Sequence, residues 1–264
     1  MTKNDFLDPD TIRDGLNTKV MGKKAYCFRE TGSTQTVAQE LAKSGAEEGT
    51  IVLAEGQTEG KGRMGRSWFS PLGKGIWVSI ILRPLIPPSL AGRVSLISAL
   101  AVAEAIREVA GLPALIKWPN DLVISEKKVG GILTEMSAEM EQIKFIILGI
   151  GINVNQDEFL EELKGKALSL HQGGGKEVSR LFLLRDILRR LDNYYPYLQK
   201  GELGTITNRW RELSATLGKQ VRVSFQGEVI EGQAVDIDSE GALLLRLDSG
   251  FVKCLTGGEV SIID

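Results

Sequence analysis

Residues Gly60 to Arg66 read GKGRMGR, three glycines interleaved with Lys61, Arg63 and Arg66. Glycine lets a backbone turn sharply and come close to a ligand. The interleaved cations and free N–H groups suit carboxylate or phosphate oxygens, and arginine adds a planar fork of donors. This spacing predicts the handling of a small anion or a nucleotide; a solvated basic turn is the alternative. Two other phosphate loops are excluded. Gly60, Gly62 and Gly65 match GxGxxG, but that fingerprint must open a helix. Here the chain runs through SWFSPLGKG into the strand-like IWVSIIL. A Walker A loop, GxxxxGK followed by Ser or Thr, occurs nowhere.

Three further clusters carry residue types able to do chemistry. In IKWPNDL, Trp118-Pro119 favours an extended backbone, and Lys117, Asn120 and Asp121 then gather at a strand end; a plain turn with a surface ion pair is the alternative. In LGIGINVN, Gly149 and Gly151 alternate with Ile150 and Ile152, so both glycines share one face of a strand. Glycine inside a strand is unfavourable unless something approaches that face closely. A flat ligand and a neighbouring backbone or side chain both fit, and Asn153 continues the face. In TGST, Ser33 and Thr34 stand at a helix start, either as a simple N-cap or as hydroxyls offered to a ligand. Gln57, just ahead of the basic loop, adds an amide.

The elements that must position these clusters follow from periodicity. The pattern predicts a short helix over Pro9 to Leu16, strands over Lys24 to Glu30 and Thr50 to Glu55, and a helix through Val37, Ala38, Leu41 and Ala42 between them. Ile76 to Leu82 reads as a strand and Leu90 to Ala110 as a buried helix ending at Gly111. Leu115 to Trp118 opens a β region, Leu122 to Ile124 and Val129 to Met136 form a hairpin closed by SEKK, and Ile143 to Val154 is a long strand. Helices follow over Arg180 to Gln199 and Leu203 to Leu217. From Gly218 short strands alternate with Gly, Asp and Ser turns, as in a small β-barrel. The expected organisation is α+β: a lead-in over 1–22, a main domain over 23–217 and a β-barrel over 218–264.

Composition narrows the class. The chain has 264 residues, 42% of them hydrophobic, and a formal net charge of −2. That balance argues against wholesale electrostatic binding to nucleic acid or membrane, but not against a local basic site. Cys27, Cys254 and the single His171 make neither a disulfide framework nor a zinc site. Any metal is expected to be Mg²⁺ held partly by substrate phosphates. A polar N-terminus and no apolar run of membrane-spanning length predict a cytoplasmic protein.

Taken together and in order, GSTQT, AEGQTEGKGRMGRSWFSP, KWPNDL with KKVGGILTE, and GIGINVN resemble the biotin protein ligases, over nearly the whole chain from about residue 20. The resemblance implies a class II synthetase-like catalytic domain with a mixed, mainly antiparallel sheet, followed by an SH3-like barrel. It implies two steps: biotin and ATP give biotinyl-AMP and pyrophosphate, and the acyl group then passes to a lysine of the biotin carboxyl carrier domain of a carboxylase. Ser33, Thr34, Gln35 and Gln57 are implied to bind the biotin head group. Lys61, Gly62 and Arg63 are implied to close over biotin and the acyl phosphate, in a loop that orders on binding. Lys117 is implied to contact the reacting carboxylate and α-phosphate, which with Arg63 makes it catalytic. Arg66, Trp68, Asn120 and Asn153 are implied to serve ATP. The family loop often reads GRGRRGR, so Lys61 keeps a charge but loses a fork of donors. Asp121 is a candidate proton acceptor for the transfer step. Residues 1–22 are too short for the DNA-binding winged helix of repressor members, so DNA binding is not expected; the sequence does not give the oligomeric state, although a homodimer is common in the family. A lipoate or octanoate ligase or transferase of related fold is the nearest alternative, and a biotin-responsive transcriptional repressor is the non-enzyme one.

Overall fold

The computed structural model describes residues 7–263; the first six residues of the lead-in lie outside them. Helix α1 (Pro9–Arg13) starts on Asp8, whose carboxylate accepts from the Asp10 and Thr11 amides at 3.0 Å. It stops at Arg13, before the expected Leu16, and Gly15 then takes a left-handed φ of 66°.

Strand β1 (Ala25–Thr31), helix α2 (Thr34–Lys43), strand β2 (Ile51–Gln57) and strand β3 (Gly75–Leu82) follow. Helix α3 spans Gly92–Ala110 and ends at Gly111 with φ 69°. Strands β4 (Leu115–Lys117), β5 (Asp121–Ile124), β6 (Lys127–Glu139) and β7 (Gln142–Asn153) complete a seven-stranded sheet of order β1-β2-β3-β7-β6-β5-β4. Only β1 and β2 are parallel; the other neighbours are antiparallel. The β5–β6 hairpin is tighter than SEKK suggests. Ser125 and Glu126, with φ of 48° and 65°, turn the chain alone, and Lys127 and Lys128 enter the strand. Two positive φ values match the twist of a two-residue hairpin.

Helix α4 (Leu170–Gly174), which periodicity missed, is followed by α5 (Arg180–Lys200) and α6 (Gly204–Glu212). The last ends five residues before the expected Leu217, because Leu213 and Ser214 turn back to pair with Ile116 beside β4. Strands β8 (Gln220–Phe225), β9 (Glu228–Ile237), β10 (Leu243–Arg246), β11 (Val252–Leu255) and β12 (Glu259–Ile262) form an antiparallel sheet of order β11-β10-β9-β8-β12. The order is linear, so this barrel is open between β11 and β12.

Strand β3 explains how the layers form. Ile76, Val78, Ile80 and Leu82 join the core cluster of α3 and α5, while Ile81 packs with Ala38 and Ala42 of α2. Apart from Ser79 the strand is apolar, because its core face and the α2 end of its other face are both covered. The expectation about apolar runs needs correction: Pro88–Ala110 has 23 residues and a mean hydropathy of 1.5, enough by length and composition to cross a membrane. Here it is a core helix, packed on α5, α6 and β6. Val221, Val223, Ile237 and Leu243 of the second sheet belong to the same continuous core as Leu100 and Ile116. On the other face α2 is only 10 residues long and covers β2, β3 and the near part of β7. The face carrying Ser79, Gly131, Gly149 and Gly151 is left for a cavity.

Candidate functional site

That cavity has a volume of about 580 Å³, within the range of small-molecule sites. Every site residue singled out in the sequence lines it: Ser33, Thr34, Gln35, Gln57, Lys61, Gly62, Arg63, Arg66, Trp68, Lys117, Asn120, Asp121 and Asn153. Six cations and two carboxylates face it, in a chain whose net charge is −2. The site therefore has the sign opposite to the whole protein, as an anion-binding site requires.

The inner end is polar and buried. Ser33 holds the N-cap position of α2, yet its hydroxyl caps nothing and has no hydrogen-bond partner. A buried hydroxyl left unpaired in this way is free for a ligand. Gln57 Oε1 accepts from the Thr34 amide at 2.8 Å and from its hydroxyl at 3.1 Å, and Gln57 Nε2 donates to Ser70 Oγ at 2.9 Å. Ser79, 1% exposed within an otherwise apolar strand, lies 2.9 Å from Thr34 Oγ1 and donates to Gln35 Oε1 at 3.0 Å. Gln35 donates in turn to the Ile147 carbonyl at 3.3 Å.

The glycine pair of β7 faces side chains of the site itself. A Cβ on Gly149 would lie 2.7 Å from Gln35 Oε1, and one on Gly151 would lie 2.7 Å from Trp68 Nε1. Gly131 of β6 lies beneath the same indole, where a Cβ would come within 3.1 Å of Cζ3. Of the two readings the sequence left open, the neighbouring side chain holds. Trp68 Nε1 is buried without a partner, and Lys128 Nζ stands 5.2 Å from the ring centroid.

The basic loop folds as a narrow hairpin. Gln57 pairs with Ser70 and Lys61 with Ser67, and the Trp68 amide donates to the Gly60 carbonyl at 2.8 Å. A Cβ on Gly60 would lie 2.4 Å from the Trp68 carbonyl oxygen, so the close approach requires glycine. At the tip Met64 is exposed with φ 56°. Arg63 reaches across the cavity and donates to Asn120 Oδ1 at 2.7 Å, while Arg66 pairs with Glu259 of β12. Burial draws the Arg63 guanidinium below its ordinary value, and Asp121 and Glu259 pull it the other way; arginine stays charged throughout. The second sheet thus closes one side of the site, with Gly258, Glu259, Val260 and Ser261 in the wall.

Lys117 ends β4 and pairs in register with Asp121 across the turn. Among the described residues its ammonium makes no ion pair, so it is available to a bound anion. Asp121 is instead held by Lys128 at 2.7 Å. Asn120 is fixed by its donation to the Ile132 carbonyl at 2.6 Å, and the Trp118–Pro119 peptide before it is cis. Asn153 lines the cavity, but its amide is directed to the Lys128 and Leu168 carbonyls at 3.5 and 3.4 Å and accepts from Gln156 at 3.0 Å. Sequence reasoning missed Ser70, Ser79, Lys128, Lys166 and Glu259. The polar serine inside GIWVSIIL was a signal for Ser79, and Ser70 and Lys128 lie inside the motifs SWFSP and KKVGGILTE; nothing local marked Lys166 or Glu259.

Residues 27–153 match the biotin/lipoate A/B protein ligase family, and residues 216–262 match the biotin protein ligase C terminal domain. The bifunctional ligase/repressor BirA of Bacillus subtilis is 41% identical over 249 residues, 94% of this chain and 77% of that protein. This chain belongs to the biotin protein ligase family. The biotin--[acetyl-CoA-carboxylase] ligase of Mycobacterium tuberculosis is 31% identical and aligns over 98% of each chain. The solved biotin protein ligase of Aquifex aeolicus in complex with biotin and ATP superposes with a TM-score of 0.79 at 32% identity, covering 91% of this chain and 99% of that one. The family's mixed α+β sheet and small C-terminal β domain are the architecture described above.

Among the described residues no group of three or more His, Cys, Asp or Glu side chains is placed to hold a metal ion. The cavity carboxylates Asp121 and Glu259 are each committed to a cation. These residues fit a Mg²⁺ that arrives on nucleotide phosphates and keeps most of its water, and not a dedicated protein cage.

Proposed function

We propose that this protein activates biotin with ATP as biotinyl-AMP and transfers the biotinyl group to a lysine of a biotin carboxyl carrier domain. The observation that carries the reading is that one cavity joins a buried polar end, a basic hairpin over its middle and an indole on a glycine floor beyond. In this reading the ring system of biotin lies against Ser33, Thr34, Gln35 and Gln57, where the free Ser33 hydroxyl meets an otherwise buried polar group. The valerate carboxylate then points toward Lys61, Arg63 and Lys117, and the nucleotide lies by Arg66, Trp68, Asn120 and Asn153.

The chemistry follows from charge. Biotin's carboxylate is ionised at neutral pH, so activation needs no general base. The obstacle is to bring two anions together and to stabilise charge at phosphorus. Lys117 and Arg63 supply fixed positive charge there, and a Mg²⁺ arriving with the nucleotide would supply Lewis-acid stabilisation. In the transfer step the acceptor must attack as a neutral amine, and removing a proton from a free lysine costs about 4–5 kcal/mol at pH 7. Asp121 lies in the cavity as a candidate acceptor for that proton, although one of its oxygens is engaged by Lys128.

Incubation with biotin, ATP, Mg²⁺ and a carrier domain, read by streptavidin blot, tests the reading; no labelled carrier rejects it. Pyrophosphate release with biotin against lipoate separates the ligase from the lipoate or octanoate alternative. The same family likeness supports a cytoplasmic, homodimeric enzyme, to be checked by fractionation and sedimentation; the matched BirA of Bacillus subtilis is a ligase/repressor, so DNA binding is tested by an electrophoretic shift with the gene's own upstream DNA.

A further inference from the structure

Next to the main cavity lies a second, of about 270 Å³, between the start of α3 and the β9–β10 turn of the second sheet. The two share a wall: Arg63, Trp118, Pro119, Asn120 and Ile132 line both. The partition is the Arg63–Asn120 hydrogen bond at 2.7 Å. Trp118 holds the seam together by donating from its amide to Thr216 Oγ1 at 3.0 Å and from its indole to the Gly241 carbonyl at 2.9 Å.

We propose that this second cavity admits the acceptor lysine, which reaches the acyl-adenylate past Asn120 without the main cavity reopening. The proposal rests on the ligase reading above. Its volume lies just below the usual range of small-molecule pockets, about 300–1,000 Å³, and so suits one side chain and not a second cofactor. The inner walls, Leu96, Trp118, Pro119 and Ile132, are apolar and match a four-carbon stem. The rim carries the exposed residues Ser89, Thr256 and Glu240. A carboxylate at the mouth attracts an ammonium, and the guanidinium at the inner partition disfavours it. The charge gradient therefore favours loss of the proton on the way in, since a nearby like charge favours the neutral amine. By this route the ammonium gives one proton to water, and Asp121, which lines only the main cavity, is not needed for it. The amine lone pair then forms the C–N bond, the bond from acyl carbon to phosphate oxygen breaks, and AMP leaves with that electron pair. The second amine proton goes to water as the amide forms.

The test uses the full chain with Ser89→Trp and Thr256→Trp, made singly and together. Both positions are exposed, so the fold tolerates bulk there, and neither lies in the main cavity. Three reactions are read: biotin-dependent pyrophosphate release, transfer of biotin to the carrier domain, and transfer from biotinyl-AMP to hydroxylamine, a nucleophile small enough to enter by another route. Transfer to the carrier should fall about 100-fold, as expected when a reactant is held out of attack geometry. Adenylation and the hydroxylamine reaction should stay within about twofold of the parent. Unchanged carrier labelling in the double variant overturns the proposal, and so does a parallel fall of all three reactions. Failure of the parent protein to release pyrophosphate with biotin would instead reject the ligase reading itself.

Discussion

Gly149 and Gly151 lie two residues apart on one face of β7, and alanine at each should damage a different substrate. Neither adopts a left-handed φ, so the cost is contact and not backbone strain. In Gly149→Ala the new methyl would stand 2.7 Å from Gln35 Oε1. An ordinary contact is about 3.5 Å, so the amide must retreat by roughly 0.8 Å. That displacement breaks the 3.0 Å bond that Ser79 donates and leaves Gln35 Oε1 unpaired in a residue only 3% exposed. Unpairing a buried group costs about 1–3 kcal/mol, or roughly 5- to 150-fold in affinity. The loss should appear in biotin binding. In Gly151→Ala the methyl would stand 2.7 Å from the Trp68 indole, which must lift by a similar amount. Overpacking of this kind costs about 1–3 kcal/mol, and the Lys128 contact over the ring loosens with it. This loss should appear in the KM for ATP, with biotin affinity little changed. Calorimetry with biotin and steady-state pyrophosphate release against ATP separate the two. The reasoning is refuted if both variants weaken both substrates equally, or if either leaves both constants at parental values.

Four further outcomes follow from the same geometry. Lys117→Ala should keep the parental melting temperature and lower adenylate formation by about 100- to 1,000-fold, the usual loss of one preorganised charge stabiliser; parental turnover would remove Lys117 from the chemistry. Trypsin cleavage after Arg63 and Arg66 should slow when biotin is added, because the hairpin has few apolar anchors; an unchanged digestion rate would count against ordering of the loop on binding. The Arg180–Glu55 pair, at 2.7 Å with side chains 2% and 4% exposed, ties α5 to β2, so Arg180→Ala should lose about 3–5 kcal/mol in urea unfolding by stranding a buried carboxylate. Burial, then the charges of Asp8 and Glu55, push the Cys27 thiol up to about 12. A raised value keeps the unreactive thiol form until the pH approaches that range. Iodoacetamide at pH 8 should therefore leave Cys27 unlabelled in the folded protein, and mass spectrometry should find it labelled only after unfolding.

The sequence by itself determined the local elements and the identity of the reacting groups. Continuous apolar runs and period-3.6 patterns carry burial directly, so β3, α3 and α5 were legible to within a few residues. The clusters at residues 33–35, 60–68, 117–121 and 149–153 were legible because glycine, cations and amides at such spacing are costly without a ligand or a close neighbour. Element ends were less so: SEKK was read as a turn because no Asn-Gly marks the two-residue hairpin, and α6 stops early for a tertiary pairing with Ile116. Only the tertiary structure decided what faces what. It places Trp68 on Gly151 and Gly131, ties Ser79 to Thr34 and Gln35, and brings Glu259 from the far end of the chain to Arg66. Pairing across a sheet and between sheets joins residues up to nearly 200 positions apart, and no local pattern encodes such distances. A short α2 over a wide sheet leaves the open face, and that mismatch of lengths turns four separate motifs into one site.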